Sequence, residues 1–295
     1  MQILHLRNKT IDYDRWDTCI SQSDNHLTYA YSWYLDIVSP DWEALISEDY
    51  EYIMPLPVKS RYGIPYLVQP VLTQQLGIFS RKAINETIVE EFIKQIPYFS
   101  YELNLNENNF NPKALIFPNF ILNLNQPYDE LKSGYSKNTR RNVDKAARLK
   151  LSIHNGLSVE TFLLFYFSVE KHFLSPKQPV LEKLILKGID KEALSLMGVF
   201  SPDNILIAGL CMLETANRIT YLLPVSSPEG KDSSAMFLLI DELIRNKAGN
   251  EKILDFEGSR IEGVARLYRG FGAKYHPYYI LKKFRPSFLI GKLPS

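Results

Sequence analysis

Residues 254–259 read Leu-Asp-Phe-Glu-Gly-Ser, and the apolar approach Lys252-Ile253-Leu254 makes them the end of a buried strand. Side chains at a strand's carboxyl end are held rigidly yet open onto a cleft, which is where chemistry tends to be placed. Asp255 and Glu257 lie two apart, so on a strand they share a face. Either can accept a proton from an amine nucleophile. The alternative is an ion pair with Arg260, Arg266 or Arg269. A helical turn over residues 263–272 follows, with Val264, Leu267 and Phe271 at helical spacing. It carries Arg266, Tyr268 and Arg269. Tyr268 can donate a proton to a leaving group or bind substrate; the other reading is a packed tyrosine.

Two more stretches suit anionic ligands. Residues 225–236 (VSSPEGKDSSAM) join a strand to a helix and hold Pro228, Gly230, four serines and one base, Lys231. Backbone N–H groups at a helix start attract anions, and Ser233 and Ser234 are natural N-caps whose hydroxyls can add to a phosphate contact, so a pyrophosphate group fits. A capped surface loop fits as well. Neither GxxxxGK[ST] nor GxGxxG occurs. The second stretch, residues 137–150 (KNTRRNVDKAARLK), sets six bases against one acid, with Lys137, Arg141, Lys145 and Arg148 on one helical stripe beside Arg140. It suits a phosphate-bearing ligand, such as a CoA tail or an RNA acceptor stem, or is simply a solvated face. Gln69 and Gln74 either line a cleft or bond to backbone. The five histidines have no metal spacing, and His172 is read as a cation late in a helix.

These residues need a scaffold. The chain has 295 residues, 45% hydrophobic and 23% charged, which is a globular composition with room for two domains. Thirty-four Lys+Arg against 33 Asp+Glu argues against a dedicated polyanion binder while allowing a local patch. Two cysteines, Cys19 and Cys211, make no disulfide framework. No apolar run reaches the roughly 18 residues of a membrane span, and residues 1–14 lack a signal peptide's apolar region, so a cytoplasmic protein is expected.

In the first half, strands are expected at 2–6, 42–46, 51–58, 98–105 and 119–124, with helices near 29–38 and 84–95. Residues 63–71, broken by prolines, suit an edge or irregular strand. The second half reads as a helix reaching residue 149, capped by Ser136 or Asn138, and a strand at 151–154. Helices follow at 159–173, capped by Ser158, and at 180–187. A meander over 195–201, 205–214 and 218–224 precedes a helix at 235–247, and strands follow at 253–256 and 278–283. Helices alternating with antiparallel strands give an α+β class.

Residues 135–151, 225–244 and 254–275, in that order, resemble the GNAT superfamily, specifically its double-domain FemAB-like branch. The resemblance covers residues 128–285 well, and the first half only in its order of elements. It implies two GNAT-like (acyl-CoA N-acyltransferase) domains, 1–126 and 127–295, with mixed central sheets flanked by helices and a last strand that returns to the first domain. It implies transfer of an acyl group, acetyl above all, from acyl-CoA to a small-molecule or peptide amine, without a metal. Glu229, Gly230, Lys231, Asp232, Ser233, Ser234 and Ala235 would then hold the donor's pyrophosphate, although only Gly230 and the small residues 233–235 keep the family's [QR]xxGx[GA] signature. Against the family's FKxxFG motif, Leu267 takes the Phe position, Tyr268 replaces Lys, and Phe271 and Gly272 match. Arg140, Arg141, Arg266, Arg269, Gln69 and Gln74 would face substrate. Two alternatives stay open: an aminoacyl-tRNA-dependent transferase acting on a cell-wall precursor, and a non-catalytic binding protein of the same fold.

Overall fold

The computed structural model describes residues 1–169, 177–284 and 286. His172 and the end of the helix expected over 159–173 lie outside the described residues. The chain divides into two compact units, one of Met1–Phe117 with the segment from Pro277, the other of Pro118–His276.

The first unit holds two sheets. Strands β1 (Ile3–Arg7), β2 (Glu43–Ser47), β3 (Tyr52–Leu56) and β6 (Phe79–Ser80) form an antiparallel sheet in the order β1-β2-β3-β6. Strands β4 (Val58–Arg61), β5 (Ile64–Val68), β7 (Tyr101–Leu105), β8 (Leu115–Phe117) and β16 (Tyr278–Lys283) form the second, in the order β4-β5-β7-β16-β8. Helices α1 (Tyr13–Gln22), α2 (Ser32–Val38) and α3 (Glu86–Lys94) complete the unit. Asp12 caps α1 by accepting from the Arg15 N–H, and Asn85 caps α3 through the Ile88 N–H. Val89 and Phe92 of α3 enter a core with Leu45, Leu56, Leu67 and Leu103. The proline-broken strand β5 is not at an edge. It lies between β4 and β7, and β7 pairs with it only from Leu67 on, so Pro65 is outside that ladder.

The second unit is built on one mixed sheet, ordered β10-β11-β12-β13-β14-β9-β15. Its strands are β9 (Phe120–Asn123), β10 (Ser152–Asn155), β11 (Leu194–Phe200), β12 (Leu206–Glu214), β13 (Arg218–Ser226), β14 (Ile253–Asp255) and β15 (Lys274–Tyr275). Its helices are α4 (Tyr128–Ser133), α5 (Lys137–Arg148), α6 (Val159–Val169), α7 (Gln178–Asp190), α8 (Pro228–Asp232), α9 (Ala235–Lys247) and α10 (Glu262–Gly270). Ser136 caps α5 and Ser158 caps α6. Strand β9 belongs to this sheet, antiparallel to both β14 and β15. The inward faces of α9 (Leu239, Ile240, Leu243, Ile244) and α10 (Ala265, Tyr268) meet Leu210, Tyr221 and Leu254 of the sheet.

Strands β13 and β14 are the one parallel pair in this sheet, joined by the crossover through α8 and α9. Their ladder spans only Arg218–Ile253, Ile219–Leu254 and Thr220–Asp255. Strand β13 then runs on alone on that side through Ser226. Its register with β12 slips at Leu222, since Cys211 faces Leu223 and Met212 faces Tyr221. Such a bulge bends and twists a strand. The bulge lies just past the point where β14 ends, and the pairing of the two strands parts there, at their carboxyl ends.

Helix α8 lies where a loop was expected. Ser227 caps it through the Gly230 N–H, and the Ser227 N–H donates to the Ile207 carbonyl. A Cβ on Gly230 would stand 2.1 Å from that same carbonyl oxygen, so only glycine lets α8 approach β12 this closely. Gly230→Ala is therefore expected to destabilise the protein by about 1–3 kcal/mol. Gly263→Ala, in α10 with no atom near its Cβ position, should instead stabilise it by about 0.4–1 kcal/mol. Urea denaturation of the two variants checks this ordering.

Candidate functional site

The parted ends of β13 and β14 gather several of the residues singled out in the sequence. Asp255 closes β14 and is wholly inside the protein, 2% exposed. Its carboxylate forms an ion pair with Arg218, which opens β13 and is itself 6% exposed. The other carboxylate oxygen accepts from Asn119 Nδ2 at 3.0 Å and from the Glu257 N–H at 2.9 Å. With three donors engaged, the Asp255 carboxylate is enclosed, and Arg218 is a cationic partner for it.

Glu257 does not share a face with Asp255. The strand ends first, and Glu257 has φ +56° and Gly258 φ +51°. Left-handed backbone costs a non-glycine residue roughly 1–2 kcal/mol. Here the bond from its own amide to Asp255 offsets that cost, and so does the seating of the turn on β9. The Phe256 N–H donates to the Phe120 carbonyl at 3.0 Å. A Cβ on Gly258 would stand 2.0 Å from the Pro118 oxygen. The turn carries the Glu257 side chain, partly buried, close enough to Cys211 of β12 and Tyr268 of α10 for its charge to act on both.

Tyr268 is buried and stacks on Phe256 at 4.7 Å between ring centroids, with Tyr221 edge-on at 6.0 Å. Burial pushes its phenol above the ordinary tyrosine range, and the negative charges of Glu257 and Asp255 push it further. Burial, with Tyr268 beside it, does the same to Tyr221. Burial above all, then Glu257, raises the Cys211 thiol. The Cys211 thiol and the Tyr268 phenol are thus both held neutral within reach of the Glu257 charge, with Tyr221 against Tyr268.

Within residues 229–235, four backbone amides are engaged inside the loop. The N–H groups of Lys231, Ser233 and Ser234 donate to the carbonyls of Ser227, Glu229 and Lys231, and that of Gly230 to Ser227 Oγ. Asp232 gives its carbonyl to Lys145 Nζ at 2.5 Å. Ser234, at φ +59°, caps α9 without a side-chain bond, because its hydroxyl donates to Asn142 Oδ1 at 2.9 Å. Ser234 and Ala235 are buried. Helix α5 therefore packs against the start of α9 and engages Asp232 and Ser234.

Helix α5 turns its basic side outward. Lys137, Arg140, Arg141, Lys145 and Arg148, with Asp144 and Leu149, line an open groove of about 880 Å³. Arg140 is committed elsewhere: its guanidinium donates to the carbonyls of Tyr135 and Ser133 at the end of α4. Arg266 and Arg269 line a second groove of about 600 Å³ with Ser136, Asn138, Thr139 and Phe237, and Arg269 pairs with Glu262 at 2.5 Å. Gln69 and Gln74, in the first unit, bond within their own loop and to β7. Gln69 Oε1 accepts from the Asn104 N–H at 3.1 Å, its amide donates to the Thr73 carbonyl, and Gln74 Oε1 accepts from Gln75. Among the described residues, no group of three or more His, Cys, Asp or Glu side chains is arranged to hold a metal ion, and no helix is long and apolar enough to cross a membrane. Both cysteines are free and buried.

Sequence reasoning missed Arg218 and Asn119. Arg218 had a signal, a lone cation opening an apolar run (Arg-Ile-Thr-Tyr-Leu-Leu) that could only be buried if paired. Asn119 had none, because its partner lies 136 residues away in sequence.

No family model matches the sequence. An uncharacterized ATP-binding protein of Methanocaldococcus jannaschii is 30% identical over 127 residues, 39% of this chain and 35% of that protein, so the chain spans little more than a third of that relative. The crystal structure of FemX superposes with a TM-score of 0.65 at 10% identity, covering 95% of this chain and 98% of FemX. L-PGS from Bacillus licheniformis gives 0.57 at 11% identity, covering 92% of each chain. The C-terminal domain of a putative lysylphosphatidylglycerol synthetase from Agrobacterium fabrum gives 0.57 at 12%, covering 94% and 92%. The chain therefore has the double-domain, GNAT-like fold of the FemAB type.

The raised phenols carry a sign. In the unfolded chain tyrosine ionises near pH 10, while folded Tyr221 and Tyr268 keep their protons to higher pH. Their stabilising contribution is complete below about pH 10 and is lost as pH rises beyond it. Urea unfolding between about pH 8 and about pH 11 should show stability falling above pH 10, less steeply in Tyr268→Phe. Identical slopes in the two proteins would contradict the assignment.

Proposed function

We propose that this chain is an acyltransferase that moves an acyl group onto an amine at the parted ends of β13 and β14, from a carrier that is itself a polyanion, of the aminoacyl-tRNA class. The observation behind the choice of donor is the placement of α5. It packs against the loop before α9, engaging Ser234 and Asp232, and presents Lys137, Arg141 and Arg148 along an open groove. A basic helix face of this kind matches a nucleic-acid backbone. The fold agrees with this reading: the name lysylphosphatidylglycerol synthetase, borne by a protein of the same fold, describes joining a lysyl unit, an aminoacyl group, to another molecule.

In this reading the amine of a small molecule or peptide attacks the ester carbonyl, and the ester C–O bond to the carrier breaks, giving an amide. Glu257 accepts the proton the amine loses, a task for which Asp255 is too enclosed, and passes it to the departing oxygen, which leaves as the carrier's hydroxyl. Backbone N–H groups of β13 beyond Thr220, outside the β14 ladder, face the developing oxyanion. Tyr268, held neutral by burial, is a hydrogen-bond donor beside them.

Binding of aminoacyl-tRNA titrated across about 0.05–0.2 M salt tests the donor. Affinity should fall linearly with salt on logarithmic axes, and Arg141→Ala and Arg148→Ala should each reduce the slope by about 1. Salt-independent binding, or micromolar binding of acetyl-CoA without any of tRNA, would contradict the proposal.

A further inference from the structure

Asn119 has no direct part in the chemistry proposed above, yet its surroundings are unusual. It is wholly buried, and its side-chain oxygen has no hydrogen-bond partner. A buried orphaned acceptor is a standing cost, and a residue kept only for stability would be replaced by an apolar one of similar size. What Asn119 does have is one bond, Nδ2 to Asp255 Oδ1 at 3.0 Å. That same oxygen accepts the Glu257 N–H at 2.9 Å. Arg218 holds the other oxygen from β13. Asn119's own carbonyl accepts from the His276 N–H at 2.9 Å, and its neighbours Pro118 and Phe120 seat Gly258 and Phe256.

A chain of contacts thus runs from β9 through Asn119 and Asp255 to the amide of Glu257. An extended residue at position 257 would put its side chain on the buried face with Asp255. The left-handed turn reverses that, and a left-handed non-glycine residue persists only where its surroundings over-determine it. We infer that Asn119 and Arg218 are positioning residues: through the Asp255 carboxylate they lock the 256–258 turn and so aim the Glu257 carboxylate at the space where β13 and β14 part. The inference rests on the acyl-transfer reading for its purpose, but the lock itself can be read without turnover.

The groups near Glu257 include Cys211 of β12, Tyr268 of α10 and, through its own amide, Asp255 of β14, which Arg218 of β13 pairs. Releasing the turn changes the charges and hydroxyls the Glu257 carboxylate faces, and with them its titration. The full chain, labelled with carbon-13 at glutamate side-chain carboxyls, gives the readout, with the Glu257 signal assigned by its loss in Glu257→Gln. In Asn119→Ala the Glu257 midpoint should move by about half a unit or more and the Glu257 amide signal should shift. In Asn123→Ala, at an exposed position of the same strand, neither should change. Arg218→Lys, which keeps the charge and loses the guanidinium geometry, is the second variant should Asn119→Ala not fold. An unmoved Glu257 midpoint and amide in a folded Asn119→Ala or Arg218→Lys protein overturn the inference. The transfer assay separates the two claims. A moved midpoint in a protein that transfers no acyl group keeps the lock and removes the proposed function. An active protein with an unmoved midpoint does the reverse. Where both hold, kcat should fall about tenfold or more in Asn119→Ala with little change in KM.

Discussion

The ion pair between Arg218 and Asp255 is the constraint on which the second unit's site depends. Two charges removed from water are tolerable only when paired and hydrogen-bonded. Here the pairing runs diagonally across the β13–β14 ladder, from Arg218 at its first rung to Asp255 at its last. Three registered residue pairs are a short ladder for a parallel pairing, which is the weaker kind of strand pairing per residue. A buried charge on each strand adds a tie along that short ladder. The same carboxylate accepts the N–H that sets the following turn, so one side chain ends the strand, holds its neighbour and fixes the direction of Glu257.

The opening follows from that end point. Strand β14 stops at Asp255, while β13 continues past the slip at Leu222. The crossover cannot spread into the gap, because Gly230 holds α8 against β12 and α5 holds the start of α9. Two of these contacts, Lys145 to Asp232 and Ser234 to Asn142, tie α5 to the crossover, while the other bases of α5 stay on its outward face.

Much of the second unit was legible in the sequence. The meander and the helix over 235–247 carry clear periodicity and turn residues, and Ser136 and Ser158 cap as their positions suggest. Helix α1 was legible too, from Asp12 as cap and Trp16, Cys19 and Ile20 at helical spacing, but the aromatic run that follows drew the reading to residues 29–38. Helix α8 was read as a loop because Pro, Gly and Ser dominate it, although Ser-Pro is also a cap followed by a first helical residue. Asp255 and Glu257 were located correctly along the chain and wrongly on a shared face. Strand alternation holds only while the strand does, and a left-handed turn at a glutamate has no signature in composition. The roles of Gly230 and Asn119 depend on contacts with residues far along the chain, Ile207 and Asp255, which local pattern does not carry.

The most direct test is the stability of Arg218→Met set against Arg218→Met/Asp255→Leu, by urea denaturation at neutral pH. Removing the cation alone leaves a buried carboxylate unpaired, and the account predicts a loss of about 3–5 kcal/mol, most of it recovered when the carboxylate goes too. A loss under about 1 kcal/mol for the single variant, with no recovery in the double, would mean that the pair is solvated and does not tie β13 to the end of β14.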